Sequence, residues 1–290
     1  MRIGRIPYIN CYPVYGAVDR GIVSLGGTLV NGVPSQLNRL MAAGQLDVSV
    51  VSAVEYARAA TRYLLLPDLA ITSDGPVRSV LLFSRRPAEE LDGGKVLLSR
   101  SSMTSVALLR LLFQNVWRVT PHLAAGDAEL SDVASFHDAP HDARLVIGDA
   151  ALVLGAALRP RHEALTATPA AAPAAPYRYV YDLGEEWKRW TGLPFVFAVW
   201  VAQRDTSVRA ALNVHARLIE SRDWGMRHLD ELAGQAAVAT GVARHVCVEY
   251  FSGLDYRLAY AHLAGLTDFF RRLEAAGEVP GGSLAFLPAA

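Results

Sequence analysis

Short apolar strands alternate with amphipathic helices along most of the chain, and this alternation constrains the possible folds more than any other feature of the sequence. The clearest strand is the β-branched run Asp47–Ser52, which is typical of a strand buried in a parallel sheet and is followed at once by a helical segment. The same order recurs at Arg144–Ile147, where Gly148 and Asp149 lead into a helix of small residues. The pattern predicts an α/β protein with mostly parallel sheets and helices on both of their faces.

Two long apolar segments divide the chain into two parts. One runs over about Val77–Ser84 and the other over about Phe195–Val201, and each could cross from one part to the other. We expect a discontinuous lobe one made of residues 1–84 and 199–290, with lobe two, residues 85–198, inserted in it. This is the architecture of a two-lobed ligand binder that closes at a hinge, and its ligand cleft would lie between the lobes.

The charge balance argues against two classes of partner. The 290 residues include 28 Lys and Arg and 28 Asp and Glu, so the formal net charge is zero. Nucleic-acid binding needs a basic surface, and binding to an anionic membrane would need one too, so we expect neither partner. No apolar run approaches the roughly 18 residues of a membrane span. Nothing in the sequence indicates an obligate protein partner.

Two features favour a reducing compartment and hence a cytoplasmic protein. Cys11 and Cys247 lie far apart in sequence and offer neither a disulfide framework nor metal-ligand spacing. At the N-terminus, Arg5 and Pro7 interrupt the apolar run that a secretory signal would need. The sequence also contains no P-loop, no GxGxxG and no Ser/His/Asp arrangement, so we expect neither a metal nor a cofactor.

Polar side chains follow two of the predicted strands. Tyr8 and Asn10 come directly after the first strand, which stops at Pro7, and Ser52 ends the β-branched strand. In an open α/β sheet ligands bind outside the carboxyl ends of the strands, so all three side chains would face a ligand. The alternative is an ordinary strand-to-helix turn in which Asn10 caps backbone amides. Taken alone, the N-terminal stretch favours that alternative.

Four hydroxyl side chains stand together at the start of a predicted helix in lobe two: Ser101, Ser102, Thr104 and Ser105. A helix start carries free backbone N–H groups and a partial positive charge, so added hydroxyls suit a carboxylate or a phosphate. The alternative is plain capping, for which one Ser or Thr would be enough. The number of hydroxyls tilts the interpretation towards an anionic ligand.

Three further candidates are Arg78 and Ser79 on the crossing segment and Asp149 after a strand of lobe two. Arg78 is equally compatible with a solvated charge, and Asp149 with a simple helix cap. Ser79 and Ser52, each taken alone, favour an ordinary structural role. Two other stretches predict loops: the Ala/Pro-rich segment 160–176, and the surroundings of His137 and His141, where Pro140 breaks any helix and favours a polar surface loop over a metal site.

Several of these motifs together resemble the chorismate dehydratases of menaquinone biosynthesis by the futalosine route. The resemblance rests on Pro-Tyr-Ile-Asn at residues 7–10, Ser-Asp-Gly-Pro-Val-Arg-Ser at 73–79, Gly-Asp-Ala-Ala-Leu at 148–152 and Thr-Gly-Leu-Pro-Phe at 191–195. It is supported by Leu46–Tyr56, by Ser101–Ser105 and by Asp182–Trp187. A sister family of the same pathway, which makes dihydroxynaphthoate, has a Ser-Pro-Cys-Pro-Asn-Asp type of motif at its N-terminus, whereas this chain has Pro-Tyr-Ile-Asn-Cys-Tyr-Pro.

The resemblance implies a fold similar to type II periplasmic binding proteins and a hydro-lyase reaction without metal. Chorismate would lose its C3 hydrogen and C4 hydroxyl as water, giving 3-[(1-carboxyvinyl)oxy]benzoate. Asn10 would be the catalytic amide that steadies developing charge, and the hydroxyl cluster would hold a substrate carboxylate. Two bases remain open, Asp149 and the substrate's own enolpyruvyl carboxylate, and we favour the second. The competing class is a non-catalytic solute-binding protein for a small aromatic acid or oxyanion, which the lack of a signal peptide disfavours.

Overall fold

The computed structural model describes residues 1–126, 140–158, 177–281 and 283–288. Its strands are β1 (Arg2–Arg5), β2 (Thr28–Asn31), β3 (Val48–Ser52), β4 (Tyr63–Ser73), β5 (Val80–Ser84), β6 (Lys95–Ser99), β7 (His122–Gly126), β8 (Ala143–Ile147), β9 (Tyr179–Asp182) and β10 (Phe195–Gln203). Its α-helices are α1 (Tyr12–Asp19), α2 (Pro34–Ala42), α3 (Ala53–Arg58), α4 (Met103–Leu112), α5 (Gly148–Leu158), α6 (Leu183–Thr191), α7 (Val208–Arg227), α8 (Leu229–Thr240), α9 (Arg244–Ser252) and α10 (Tyr260–Ala275). A short 3-10 turn, Ile9–Cys11, leads into α1 without a break.

The strands form two five-stranded sheets with the orders β2-β1-β3-β10-β4 and β7-β6-β8-β5-β9. In the first sheet, β1 pairs parallel to β2 and β3, whereas β10 pairs antiparallel to β3 and β4. In the second, β6 pairs parallel to β7 and β8, whereas β5 pairs antiparallel to β8 and β9. Four strands of each sheet therefore share one direction and the fifth opposes them. The α/β prediction with mostly parallel strands is confirmed, and both sheets are mixed.

The two opposing strands are the two segments that were expected to cross between lobes. The boundary expected after residue 84 assigns β5 to lobe one, but β5 pairs with β8 and β9 in the second sheet. The boundary expected at residue 199 divides β10, all of which pairs in the first sheet. We therefore propose that the chain changes lobe within residues 74–79 and again within residues 183–194.

The first change of lobe is held by one carboxylate. Asp182 accepts hydrogen bonds from the backbone N–H groups of Val77 at 2.9 Å and Arg78 at 2.6 Å. Arg78 has a φ of 61°, in the left-handed region, which ends the extended run that was expected from residue 77. The strand starts only at Val80 for that reason.

The helix starts follow local chemistry. Ser52 caps α3 and Ser102 caps α4, each accepting the backbone N–H three residues further on. The helix α2 begins at Pro34, so Ser35 lies inside the helix and does not cap it. Proline suits the first helical position because its missing N–H would be unpaired there and its φ is already helical.

An aromatic cluster joins α6, β10 and α10. Trp187 meets Phe195 edge-on with ring centroids 5.2 Å apart, and Phe269 lies 4.9 Å from Phe195 and 5.9 Å from Trp187. All three side chains are fully buried, and such pairs stabilise a core beyond their buried area alone. The cluster fixes β10 where it enters the first sheet.

Two of the predicted loops lie outside the described residues, namely segment 160–176 and His137. His141 is described, and the expectation of a surface position is wrong for it: the residue is 5% exposed and its ring bonds to the Tyr177 hydroxyl. None of the described helices combines the length and the apolar character that crossing a bilayer would require.

Candidate functional site

A narrow cavity of about 60 Å³ lies between segments of the two sheets. Most of its lining is apolar, with side chains such as Ile71, Ile147 and Phe197. Six of the ten residues predicted for the site line it: Tyr8, Asn10, Ser52, Ser79, Ser102 and Ser105. The first three follow strands of the first sheet and the other three belong to segments next to the second sheet, so the cavity is shared by both parts of the chain.

Asn10 brings a buried polar atom to the cavity lining. Its Oδ1 atom is buried and accepts no hydrogen bond from the described residues. Because this oxygen accepts no backbone N–H group, the alternative of Asn10 as a capping residue does not hold. A buried carbonyl oxygen without a donor costs free energy, which a ligand that donates a hydrogen bond would recover.

Tyr8 lies next to Asn10 and packs on a glycine of the other sheet's helix α5. Gly148 has a φ of +66°, and a Cβ atom there would lie 3.0 Å from the Tyr8 ring. The Gly148 N–H also donates to the Ser79 carbonyl oxygen at 2.8 Å. Glycine is therefore needed twice at this position, for its backbone conformation and for the close approach of the ring.

The groups at the cavity that could attract an anion lie at helix starts. Those of α2, α3, α4 and α5 contribute Pro34, Ser52, Ser102 and Gly148 to the lining. Within the part of the chain that the structure describes, no Lys, Arg or His side chain lines the cavity. Hydroxyls and the partial positive charge at helix starts attract anions without a formal charge, and four helix starts contribute residues to this one cavity.

The lobe-two hydroxyl cluster divides into two pairs. The Ser102 hydroxyl donates to the Ser105 hydroxyl at 2.8 Å, and both line the cavity. Thr104 instead accepts the N–H of Val54, the second residue of α3, at 3.2 Å through its Oγ1 atom. The Ser101 carbonyl oxygen accepts the Ser35 N–H at 3.2 Å. Capping and cavity lining thus coexist in the first pair, whereas Ser101 and Thr104 join α4 to α2 and α3.

Arg78 and Asp149 also lie outside the cavity lining. Arg78 forms an ion pair with Glu249 of α9 at 2.6 Å, with its side chain directed away from the cavity. Asp149 accepts the backbone N–H of Ile9 at 3.1 Å through Oδ1. Burial raises the pKa of Asp149 to about 6, and the hydrogen bond from Ile9 offsets only part of that rise.

Two buried groups behind the cavity carry no charge at neutral pH. Burial raises the pKa of the Cys11 thiol and of the Tyr250 hydroxyl. The Tyr250 hydroxyl is fully buried, and Ser79 lies beside it. Neither group is therefore available as a base. Separately, no group of three metal-binding side chains occurs among residues 1–126, 140–158, 177–281 and 283–288.

Sequence reasoning missed the apolar half of the lining and Gly148. The signal for Gly148 was present, because a glycine between a buried strand and a helix indicates a positive φ or a close approach. Ile71, Ile147 and Phe197 carry no such signal, since an apolar residue at a strand end is equally expected in the core.

Comparison with known proteins adds the decisive observation. A family model described as menaquinone biosynthesis matches residues 1–275. The chain belongs to this menaquinone-biosynthesis family. A relative from Thermus thermophilus named chorismate dehydratase is 34% identical over 274 residues, which cover 92% of this chain and 95% of the relative. A second protein of that name, from Campylobacter jejuni, is 28% identical over 202 residues, which cover 68% of this chain and 66% of the relative.

Solved structures agree with the expected fold of the menaquinone-biosynthesis family. A crystal structure of an Archaeoglobus fulgidus protein matches with a TM-score of 0.74 at 19% identity, over 96% of this chain and 98% of that one. The periplasmic aliphatic sulphonate binding protein of Escherichia coli matches with a TM-score of 0.63 at 14% identity, over 97% and 94% of the two chains. The prediction of a periplasmic-binding-protein-like fold is confirmed.

Proposed function

We propose that this protein is a chorismate dehydratase, a carbon–oxygen lyase that removes water from chorismate to give 3-[(1-carboxyvinyl)oxy]benzoate. The observation that carries the proposal is the 34% identity to a protein of that name over 92% of the chain. The cavity supports it because its polar groups are those that a dianionic substrate with a reacting hydroxyl would need.

The two substrate carboxylates would be held by the starts of α4 and α3. Ser102 and Ser105 at α4 form one candidate carboxylate site, and Ser52 at α3 forms the other. These groups are rigid because the Ser52 hydroxyl accepts a bond from the Asn38 side chain at 2.9 Å and the Ser102 hydroxyl is bonded to Ser105. Preorganised donors of this kind orient a substrate without reorganising during the reaction.

The reaction needs a base for the C3 proton and a donor for the departing C4 hydroxyl. Loss of the C3 proton leaves an electron pair that extends through the ring to the C1 carboxylate. Cleavage of the C4–O bond then forms the aromatic ring, and the hydroxide takes up the proton to leave as water. Asn10, which lines the cavity, would bind the reacting region, because an amide oxygen can accept a hydrogen bond and an amide nitrogen can donate one.

Between the two candidate bases, the substrate's own enolpyruvyl carboxylate fits the site better. Asp149 does not line the cavity, and its Oδ1 already accepts the Ile9 N–H. A general base must come within hydrogen-bond reach of the proton that it removes. We therefore assign proton removal to the substrate carboxylate and keep Asp149 out of direct contact with substrate. Arg78, Ser101 and Thr104 are likewise proposed to support the site without touching the substrate.

Closure of two lobes around the substrate would exclude water during the reaction. The hydrogen bond from Val54 to Thr104 and the bond from Ile9 to Asp149 join elements of the two sheets, as a closed state requires. We also propose the cytoplasm as the compartment, supported by two buried free thiols, Cys11 and Cys247.

The proposal is tested by incubating chorismate with the purified protein, without added metal or cofactor, and following ultraviolet absorbance and mass. An aromatic product lighter by one water is expected. Asn10→Ala should abolish most turnover, and Asn213→Ala, which changes an exposed asparagine of α7, is the matched control. Intact chorismate that protects the protein against thermal unfolding would instead favour a solute-binding protein, as the sulphonate-binding neighbour illustrates. If chorismate is neither turned over nor protects the protein against unfolding, the assignment of chorismate as the ligand is refuted.

A further inference from the structure

The first helical turn of the chain is capped by a residue that is distant in sequence. The turn begins at Ile9, and the side chain of its N-cap residue, Tyr8, does not cap the turn. The Ile9 N–H donates instead to Oδ1 of Asp149, which lies 140 residues further along the chain. A carboxylate at this position satisfies an orphan N–H group and meets the positive end of the helical segment.

The neighbour of Asp149 reinforces the contact. Gly148 supports the Tyr8 ring, and its N–H binds the Ser79 carbonyl oxygen at 2.8 Å. Residues 148–149 thus contact two segments that line the cavity, the turn that carries Tyr8 and Asn10 and the segment that carries Ser79. Asp149 is the only one of these five residues that lies outside the lining.

We propose that Asp149 is a positioning residue whose carboxylate clamps the Tyr8–Asn10 turn of lobe one to lobe two and so holds Asn10 at the substrate. The inference rests on the proposed function for its catalytic consequence. Its structural basis is independent of that function, because the hydrogen bond and the ring contact exist without substrate. Donor and acceptor belong to different sheets, so the clamp forms only when the two parts of the chain are together.

The clamp requires an acceptor at Asp149 and not a base, and two substitutions separate these roles. Asp149→Asn keeps an Oδ1 that accepts the Ile9 N–H, whereas Asp149→Ala removes it. Asp268→Ala is the control, because Asp268 pairs with Arg271 and Arg272 of its own helix α10. Two readouts are needed: hydrogen exchange of the Ile9 amide by NMR without ligand, and kcat and KM with chorismate.

In Asp149→Ala we expect the Ile9 amide to exchange at least about tenfold faster and kcat to fall by about tenfold, the order that one partly buried hydrogen bond supplies. In Asp149→Asn both quantities should stay within about threefold of wild type, and Asp268→Ala should change neither. A folded Asp149→Ala variant with wild-type exchange and kcat would overturn the clamp. Equal loss of kcat in the Asn and Ala variants would overturn it too, because the charge and not the acceptor would then matter.

The exchange measurement also separates this inference from the proposed function. If the wild-type protein leaves chorismate intact, the dehydratase assignment fails, and the clamp is then decided by exchange of the Ile9 amide in the three variants. If wild type turns over chorismate and exchange in Asp149→Ala is unchanged, the function stands and the clamp fails.

Discussion

Replacement of Gly148 by alanine tests whether the contact between α5 and the Tyr8 ring shapes the site. The new Cβ atom would lie 3.0 Å from Cε2 and 3.1 Å from Cδ2 of the Tyr8 ring. Carbon atoms prefer separations of about 3.5–4.0 Å, so the ring must move by about 0.5 Å or more. Since a displacement of about 1 Å can cost about 100-fold in rate, a shift of half that size should lower kcat by about tenfold.

Backbone strain must be separated from this effect, and Gly241 provides the matched control. Gly241 ends α8 with a φ of +74°, close to the +66° of Gly148, but an added Cβ atom would meet nothing within 4 Å. A left-handed residue other than glycine costs about 1–2 kcal/mol, and the lower entropy of the unfolded chain returns up to about 1 kcal/mol. Both variants should therefore unfold about 2–4 °C below wild type.

The assays are thermal unfolding by circular dichroism and steady-state turnover of chorismate. Both alanine variants should lose similar stability, and only Gly148→Ala should lose activity. Similar activity in the two folded variants would refute the argument that the Tyr8 ring must stay where Gly148 supports it. A much larger stability loss in Gly148→Ala would indicate that the ring cannot yield without disturbing the fold.

Three further predictions concern stability and its dependence on pH. Phe269→Ala should lower the free energy of unfolding by about 3–5 kcal/mol in urea titrations, because its ring packs against Trp187 within the core. Asp149→Asn should be more stable than wild type at pH 8, by up to about 3 kcal/mol, and equally stable near pH 4. The pKa of Asp149 is about 6 in the folded state and 3.8 ordinarily, so the folded state favours the protonated acid. Wild type therefore loses stability as the pH rises between these two values. Tyr63→Phe should cost about 1–2 kcal/mol at pH 8 and less at pH 4, because the Tyr63 hydroxyl donates to the buried Glu55 carboxylate at 3.0 Å, and loss of that bond would raise the pKa of Glu55 further. Chemical unfolding at pH 4 and pH 8 checks the predictions for Asp149→Asn and Tyr63→Phe. A Tyr63→Phe variant that is equally destabilised at both pH values would contradict the prediction for Tyr63.

The alternation of strands and helices was enough to predict the fold class, because each strand and helix type leaves a period in the sequence. It was also enough to bring Tyr8, Asn10 and Ser52 to one place, since the carboxyl ends of strands that run in the same direction meet at one edge of a sheet. These inferences need only local patterns and one topological rule.

The parts that sequence could not supply depend on single dihedral angles and on distant partners. Arg78 was expected at the cavity. Its backbone instead has a φ of 61°, and its side chain forms an ion pair with Glu249. Thr104 and Ser102 are two residues apart and look alike in sequence, yet one bonds α3 and the other lines the cavity. The partner of Asp149 is an amide 140 residues away, and no local pattern encodes such a pair.

The position of β10 also determines when this protein can fold during its synthesis. β10 lies between β3 and β4, so the first sheet has a gap at its centre until Phe195 and the residues after it have left the ribosome. About 140 residues separate Ser52 from Phe195. At a synthesis rate of roughly 5–20 residues per second, this distance corresponds to a delay of roughly 7–30 s. During that interval one edge of β3, a strand whose residues are all buried in the finished fold, has no partner, so a nascent chain that ends before Phe195 should depend on chaperones. The second sheet, whose last strand ends at Asp182, can form first.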